Sequence, residues 1–310
     1  MSAVRYMILT TMTHTIDIPL DGYLELADVV SRFAGAVETL LTHEFAYPFP
    51  IGSEALRDCT ADAQHRGTRS TQALTQLATG QIHAGFVQCD LLLGIAACLP
   101  AHSVFFAPFP LARACVAVAA RAWHVIAAES REDRLKHYLN EELAALYDAS
   151  FDRADKETEE HIRQTTNDFL AVGAAAGLRA VPGPKSKPWV APYLVSRGQK
   201  SSQRPLKETD LVKALFVAGG FKEAVAHRPY KVLSAAAHGR FRYAGVVSLP
   251  PTGPSVHGVS MRSMHTPVDV AAEVTAPAAL ATLTHLRALA RYVNVPEVTV
   301  QERLQDTLTQ

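Results

Sequence analysis

The chain has 310 residues, with 30 Lys+Arg against 30 Asp+Glu and a formal net charge of zero. Hydrophobic residues make up 48% and charged residues 19%, which excludes a disordered chain, a collagen-like chain and a long solvated coiled coil. Four cysteines exclude a disulfide scaffold, and a chain of this length buries a core without staples.

The first residues, MSAVRYMILTTMTHTIDIPLDGY, lack a sustained apolar stretch and a small-residue cleavage site, so no signal peptide is expected and the chain reads as cytoplasmic. Its thiols should then be reduced. Cys59, Cys89, Cys98 and Cys115 form no C-x-x-C pair and read as small buried hydrophobes. In Gly22–Phe45, the residues Leu26, Val30, Phe33, Val37, Leu40 and Leu41 recur every three to four positions, which predicts a helix with one apolar face. Ser70–Leu99 continues in the same style.

From Leu91 to Ala112 no Asp, Glu, Lys or Arg occurs, a length that suits a membrane span. Pro100, Pro108 and Pro110 interrupt it, so it reads as two buried helix ends joined by a proline-rich turn, and no membrane partner is expected. Pro110 stands where a first helical residue would be. Leu111–Ala128 is apolar on all sides and predicts a central buried helix. Arg131–Tyr147 and Lys156–Leu178 predict amphipathic helices, acidic on the outside, with Gly177 placed to cap the second.

Residues 180–205 contain five prolines and read as a loop or linker. Helices resume at Glu208–Ala226 and Pro229–His238. Residues 246–266, with Pro250, Pro251, Gly253 and Pro254, predict an irregular excursion or a small β-hairpin. Val268–Val293 predicts a helix, and Pro296 opens a last short one. The fold class expected is all-α, a single helical domain over 1–310 of about eight to ten helices.

Zero net charge conceals an asymmetry. Residues 1–170 carry 13 Lys+Arg and 22 Asp+Glu, whereas 171–310 carry 17 and 8. Either the acidic helices compensate the basic stretch, or that stretch meets phosphate or nucleic acid. Trp189, Tyr193, Phe241 and Tyr243 nearby would offer faces for base stacking. No dinucleotide, phosphate-loop, hydrolase-elbow or zinc-protease motif occurs, so no cofactor and no metal are expected. Asp62 and His65 have a ligand-like spacing but read as a surface pair.

Two helices carry candidate chemistry. Arg113, Arg121 and His124 project to roughly one side of Leu111–Ala128. A buried guanidinium must be paired. The three residues predict either an internal salt bridge, to Glu129 or Asp148 for example, or an anion-binding pocket in the core. Tyr230, Ser234 and His238 recur every fourth residue on the second helix. Gly239 should end that helix, and the helix dipole there favours a protonated His238. The row predicts either proton transfer or a hydrogen-bonded seam.

The segments PLARA (Pro110–Ala114), ARAW (Ala120–Trp123) and YKVLSAAAHG (Tyr230–Gly239) resemble those of uncharacterised helical proteins common in actinobacteria. LSAAAHG is also distantly similar to the terminal motif of HEPN domains, helical bundles found in ribonucleases and defence systems. HEPN ribonucleases carry an Arg followed four to six residues later by His. Here Leu233 precedes His238 by five positions, while Arg131 and His137 have that spacing on a helix read as exposed and acidic. The resemblance implies a helical bundle over roughly residues 105–240.

The leading expectation is a protein that binds a small anionic or polar ligand in its core. Arg113, Arg121 and His124 would hold the ligand. Tyr230, Ser234 and His238 would supply hydrogen bonds or cofactor-independent acid–base catalysis. One alternative is a HEPN-like module that binds nucleic acid through the basic 179–242 stretch. Another is a structural or partner-binding protein, and a homo-oligomer is compatible with each.

Overall fold

The computed structural model describes residues 20–63, 72–101, 106–150, 155–183, 191–198, 204–240, 247–251 and 262–309. These form ten α-helices and two small antiparallel strand pairs, an all-α architecture. The helices are α1 (Asp21–Thr39), α2 (Glu54–Ala63), α3 (Ala73–Cys98), α4 (Pro108–Ile126), α5 (Arg131–Ala149), α6 (Lys156–Ala175), α7 (Glu208–Ala218), α8 (Arg228–Ala237), α9 (Val268–Val293) and α10 (Glu297–Thr309). A π-helical turn, Leu40–Glu44, extends α1. Strand β1 (Arg179–Val181) pairs with β2 (Tyr193–Val195), and β3 (Val247–Pro251) with β4 (Arg262–His265).

Local chemistry sets many of the helix ends. Ser130 caps α5, its hydroxyl accepting from the Asp133 N–H at 3.0 Å. Asp155 caps α6 through the Thr158 N–H at 2.7 Å. Each satisfies a donor that the first helical turn leaves open. Gly177 ends α6 with φ +83°, and Gly239 ends α8 with φ +74°. In both, the next residue's N–H reaches back to the last turn, Leu178 to the Gly173 carbonyl and Arg240 to that of Ala235. This left-handed closure suits glycine. Asn294 ends α9 in the same conformation.

Helices α4 and α9 run through the middle. The apolar side of α4, with Ala112, Cys115, Val116, Ala119 and Ala120 all fully buried, packs on α3, α7, α8 and α9. Small residues here let the helix axes approach closely. One apolar cluster gathers residues of α1, the second half of α3, α4, α7, α8 and the first half of α9. The other gathers the first half of α3 with α5, α6, the end of α9 and α10. Phe33 and Trp123 touch both. Helices α3 and α4 are each long and apolar enough to cross a membrane by length and composition.

Several expectations are corrected. The sequence periodicity did not separate α2, a short helix. The expected Glu208–Ala226 helix stops at Ala218, where Gly219 and Gly220 follow with Gly220 at φ +95°. Helix α4 begins at Pro108, so Pro110 is its third residue. The expected 180–205 loop contains β2 and most of β1, which pack on α5 and α6 respectively. There Gly173 lets the Leu194 side chain lie close, since a Cβ would stand 2.6 Å from Leu194 Cδ1 and push it aside. Asp62 is buried rather than a surface residue, and its carboxylate accepts from the Thr75 N–H at 2.6 Å, capping α3 from outside. His65, Trp189, Phe241 and Tyr243 lie outside the described residues, and Tyr193 is buried.

Candidate functional site

Arg113 and Arg121 do not point into the core. They flank the apolar side of α4, with side chains 35% and 53% exposed. Both reach Glu208, the first residue of α7. Arg113 Nη2 donates to Oε1 at 3.3 Å and Arg121 Nη2 to Oε2 at 2.7 Å. The Tyr230 hydroxyl of α8 donates to the same Oε1, and the Arg113 guanidinium lies over the Tyr230 ring, 5.5 Å from its centre. The internal acid is therefore Glu208, in place of the anticipated Glu129 or Asp148. The reason is tertiary: the start of α7 crosses α4, and a carboxylate in a first helical turn is favoured by the helix dipole. The two arginines form a hub joining α4, α7 and α8, with the position of an anion taken by the chain's own carboxylate.

The Tyr230, Ser234 and His238 row comes apart. Tyr230 is buried against Glu208, Ser234 is half-buried, and His238 is exposed beyond the last turn of α8. Among the described residues no side-chain hydrogen bond joins the three. Eight residues on a helix return about 80° away from the start, and the helix stops at Ala237, so the row cannot hold one direction.

His124 leads elsewhere. It lines a cleft of about 500 Å³ between the end of α4, the middle of α5 and the start of α7, within the size range of small-molecule sites. Its imidazole stacks on that of His137 from α5, with ring centres 3.9 Å apart and planes 17° apart. His137 Nδ1 lies 3.1 Å from the His124 carbonyl oxygen. A carbonyl only accepts, so Nδ1 carries the proton, and in the neutral ring Nε2 is left as an acceptor. Burial pushes the His124 pKa down to about 4, helped by His137 and then Lys136. Burial also lowers that of His137, against the carbonyl hydrogen bond.

One turn further along α5, Glu141 faces the same cleft. Its carboxyl is raised chiefly by burial; Arg121, with Nε 3.8 Å away, opposes the rise and Glu208 adds to it. Lys136 lies at the cleft, buried, and its ammonium donates to Asp133 and to Ser196 Oγ. Asn140 holds the wall, donating to the Leu194 carbonyl at 3.1 Å and accepting from the Leu194 N–H at 2.7 Å. It thereby docks β2 as another strand would. Arg204 and Lys207, both exposed, bring positive charge to the rim, and Asp210 of α7 closes the lining.

Of the residues predicted from sequence, the cleft therefore gathers His124, with Arg121 at its wall through Glu141 and Glu208. Sequence reasoning missed His137, Glu141 and Glu208. The four-residue step from His137 to Glu141 was readable as one helix face. The charge pattern alone presents α5 as exposed, whereas Arg134 and Lys136 are buried on it. Arg131 and His137, the pair with HEPN-like spacing, serve different sides of α5. Arg131 Nε donates to Asp58 at 2.9 Å, and His137 lies under His124. Among the described residues no group of three or more His, Cys, Asp or Glu could hold a metal ion.

Comparison of the chain with protein-family models, with curated proteins and with solved structures gives no match.

Proposed function

We propose that this protein binds a small anionic or polar ligand in the cleft between α4, α5 and α7, with His124, His137 and Glu141 on its walls and Arg204 and Lys207 at its mouth. The carrying observation is that two stacked imidazoles and a half-buried carboxyl face a cleft of about 500 Å³ with cations at the rim. Titratable groups perturbed by burial and gathered in a concavity are the pattern from which a functional site is inferred. The groups suit proton transfer: a neutral imidazole with a defined tautomer and a carboxyl of raised pKa stand one helical turn apart. Arg113, Arg121 and Tyr230 serve the ligand indirectly, by holding the start of α7 that forms one side of the cleft.

The test is thermal unfolding in sodium sulfate against sodium chloride at matched ionic strength. Sulfate stabilises folded chains in general by exclusion from their surface, so the expected result is a larger rise in Tm for the natural chain than for the doubly substituted Arg204→Ala, Lys207→Ala protein. An equal rise in both would be that general effect alone and would overturn anion binding in the cleft.

A second reading has one observation in its favour. Lys222, Arg228, Lys231 and Arg240 are exposed on and around α8, with no ion-pair partner among the described residues. Such a basic face could bind a nucleic-acid backbone, and the affinity would then fall steeply with salt through counterion release.

A further inference from the structure

With the cleft as the ligand site, the stacked histidines define which ligand chemistry it favours. Two imidazoles with ring centres 3.9 Å apart cannot both be cationic without strong repulsion. One of them can be. His137 Nδ1 already donates to the His124 carbonyl, so a proton added to His137 goes to Nε2 and turns the ring's remaining acceptor into a donor. The ring is then a cation with one N–H held by the protein and the other available to a ligand.

The surrounding charges decide which ligand stabilises that state. On α5 itself stand Lys136, whose ammonium is held by Asp133, and Glu141. From α4 come His124 and Arg121, the latter committed to Glu208 and Glu141. From α7 and the residues before it come Asp210, Lys207 and Arg204. Of the cleft's acids, Asp133 is engaged by Lys136 and Glu141 by Arg121, whereas Asp210 appears in no ion pair among the described residues; against it stand Arg204 and Lys207, which appear in none either. A protonated imidazole adds a third positive group to the same cleft. Protonation is costly in the empty cleft and is offset when an anion arrives; by linkage, anion affinity and imidazole basicity must rise together.

We infer that the His124–His137 pair takes up one proton together with a small oxyanion, so that the cleft receives its ligand as an anion and a proton jointly. The stack limits uptake to one proton. The site therefore favours oxyanions such as carboxylate, sulfate or phosphate groups, and holds them more tightly in mildly acidic solution.

The experiment is a pH titration of the histidine ring resonances of the full-length chain by NMR, between pH 5 and 8, in sodium sulfate and in sodium chloride at equal ionic strength. Sulfate keeps one charge state across this range. His124→Gln and His137→Gln each assign one resonance, and either suffices if the other variant fails to fold. Sulfate should raise the apparent pKa of one cleft imidazole by about one unit for each tenfold excess over its dissociation constant. The second ring should stay neutral. Sulfate-dependent shifts in the cleft with no change in either pKa would overturn the coupled uptake and leave the anion site standing. No sulfate-dependent shift at either ring would overturn both. Protonation of both rings, or proton uptake that persists in His137→Gln and disappears in Glu141→Gln, would also overturn the assignment to the imidazole pair.

Discussion

Arg134 meets Asp58 with both groups out of water: Nε lies 3.0 Å from Oδ2 and Nη2 3.2 Å from Oδ1, and the side chains are 3% and 0% exposed. The remaining capacity of each is used. Asp58 also accepts from Arg131 and from the Tyr292 hydroxyl at 2.9 Å, and Arg134 donates to Glu54 and to the carbonyls of Ala128 and Glu129. The guanidinium stands over the Tyr292 ring at 5.4 Å. This network ties α2 to α5 and α9, elements far apart in the chain.

Removing one partner leaves the other charged and buried. Asp58→Ala should lower the unfolding free energy by about 3 kcal/mol, because the buried guanidinium keeps only the half-exposed Glu54 as a counter-charge and Arg131 and Tyr292 also lose their acceptor. Denaturant titration reads it. A loss below about 1 kcal/mol would show that water reaches Arg134. Tyr292→Phe should cost far less, about 1 kcal/mol, since it removes one hydrogen bond.

The folded state should weaken in acid through His285. It is fully buried on α9, its Nδ1 2.9 Å from the Gln88 amide nitrogen, and burial lowers its pKa from 6.5 to about 4. Between those values the unfolded chain binds more protons than the folded one. The contribution is complete above about pH 6.5 and is lost as the pH falls towards about 4, amounting to roughly 3 kcal/mol for a shift of this size. His285→Gln, which keeps a polar partner for Gln88, should flatten the pH profile of Tm in that window. An unchanged profile would assign the acid sensitivity to other groups.

Glu208 concentrates three partners in one half-buried carboxylate, 29% exposed. Glu208→Ala should destabilise by about 1–2 kcal/mol, limited by solvent screening of the exposed Arg121. A double-mutant cycle with Tyr230→Phe should be non-additive, since the hydroxyl shares the same oxygen. Additivity would show that the contact does not hold in solution.

The four thiols should divide by reactivity. Burial pushes Cys89 and Cys115 up to about 12, so at pH 8 only about one in ten thousand of each would be thiolate. Cys115 is also held by Thr282 Oγ1 at 3.4 Å. Alkylation of the native chain followed by peptide mass analysis should leave both unmodified while Cys98, half-buried, reacts; denaturant should release them. Early labelling of Cys115 would mean that α4 and α9 separate readily.

What the sequence determined by itself is local. Apolar periodicity located the long helices, and the bounds expected for Val268–Val293 match those of α9. Gly177 marked a helix end because a residue without a side chain adopts the left-handed closure at least cost. Charge patterning could not say which face of α5 is covered, because Arg134, Lys136 and His137 look solvated until their partners are known. Those partners come from other elements: Asp58 and Ser196 from distant parts of the chain, and His124 from the preceding helix. The tertiary structure alone decided that Glu208 takes Arg113 and Arg121, that the Tyr230, Ser234 and His238 row disperses, and that His124 pairs with His137. A helix period states which side chains share a face, but only the crossing of helices brings that face to a carboxylate, a second imidazole or open solvent.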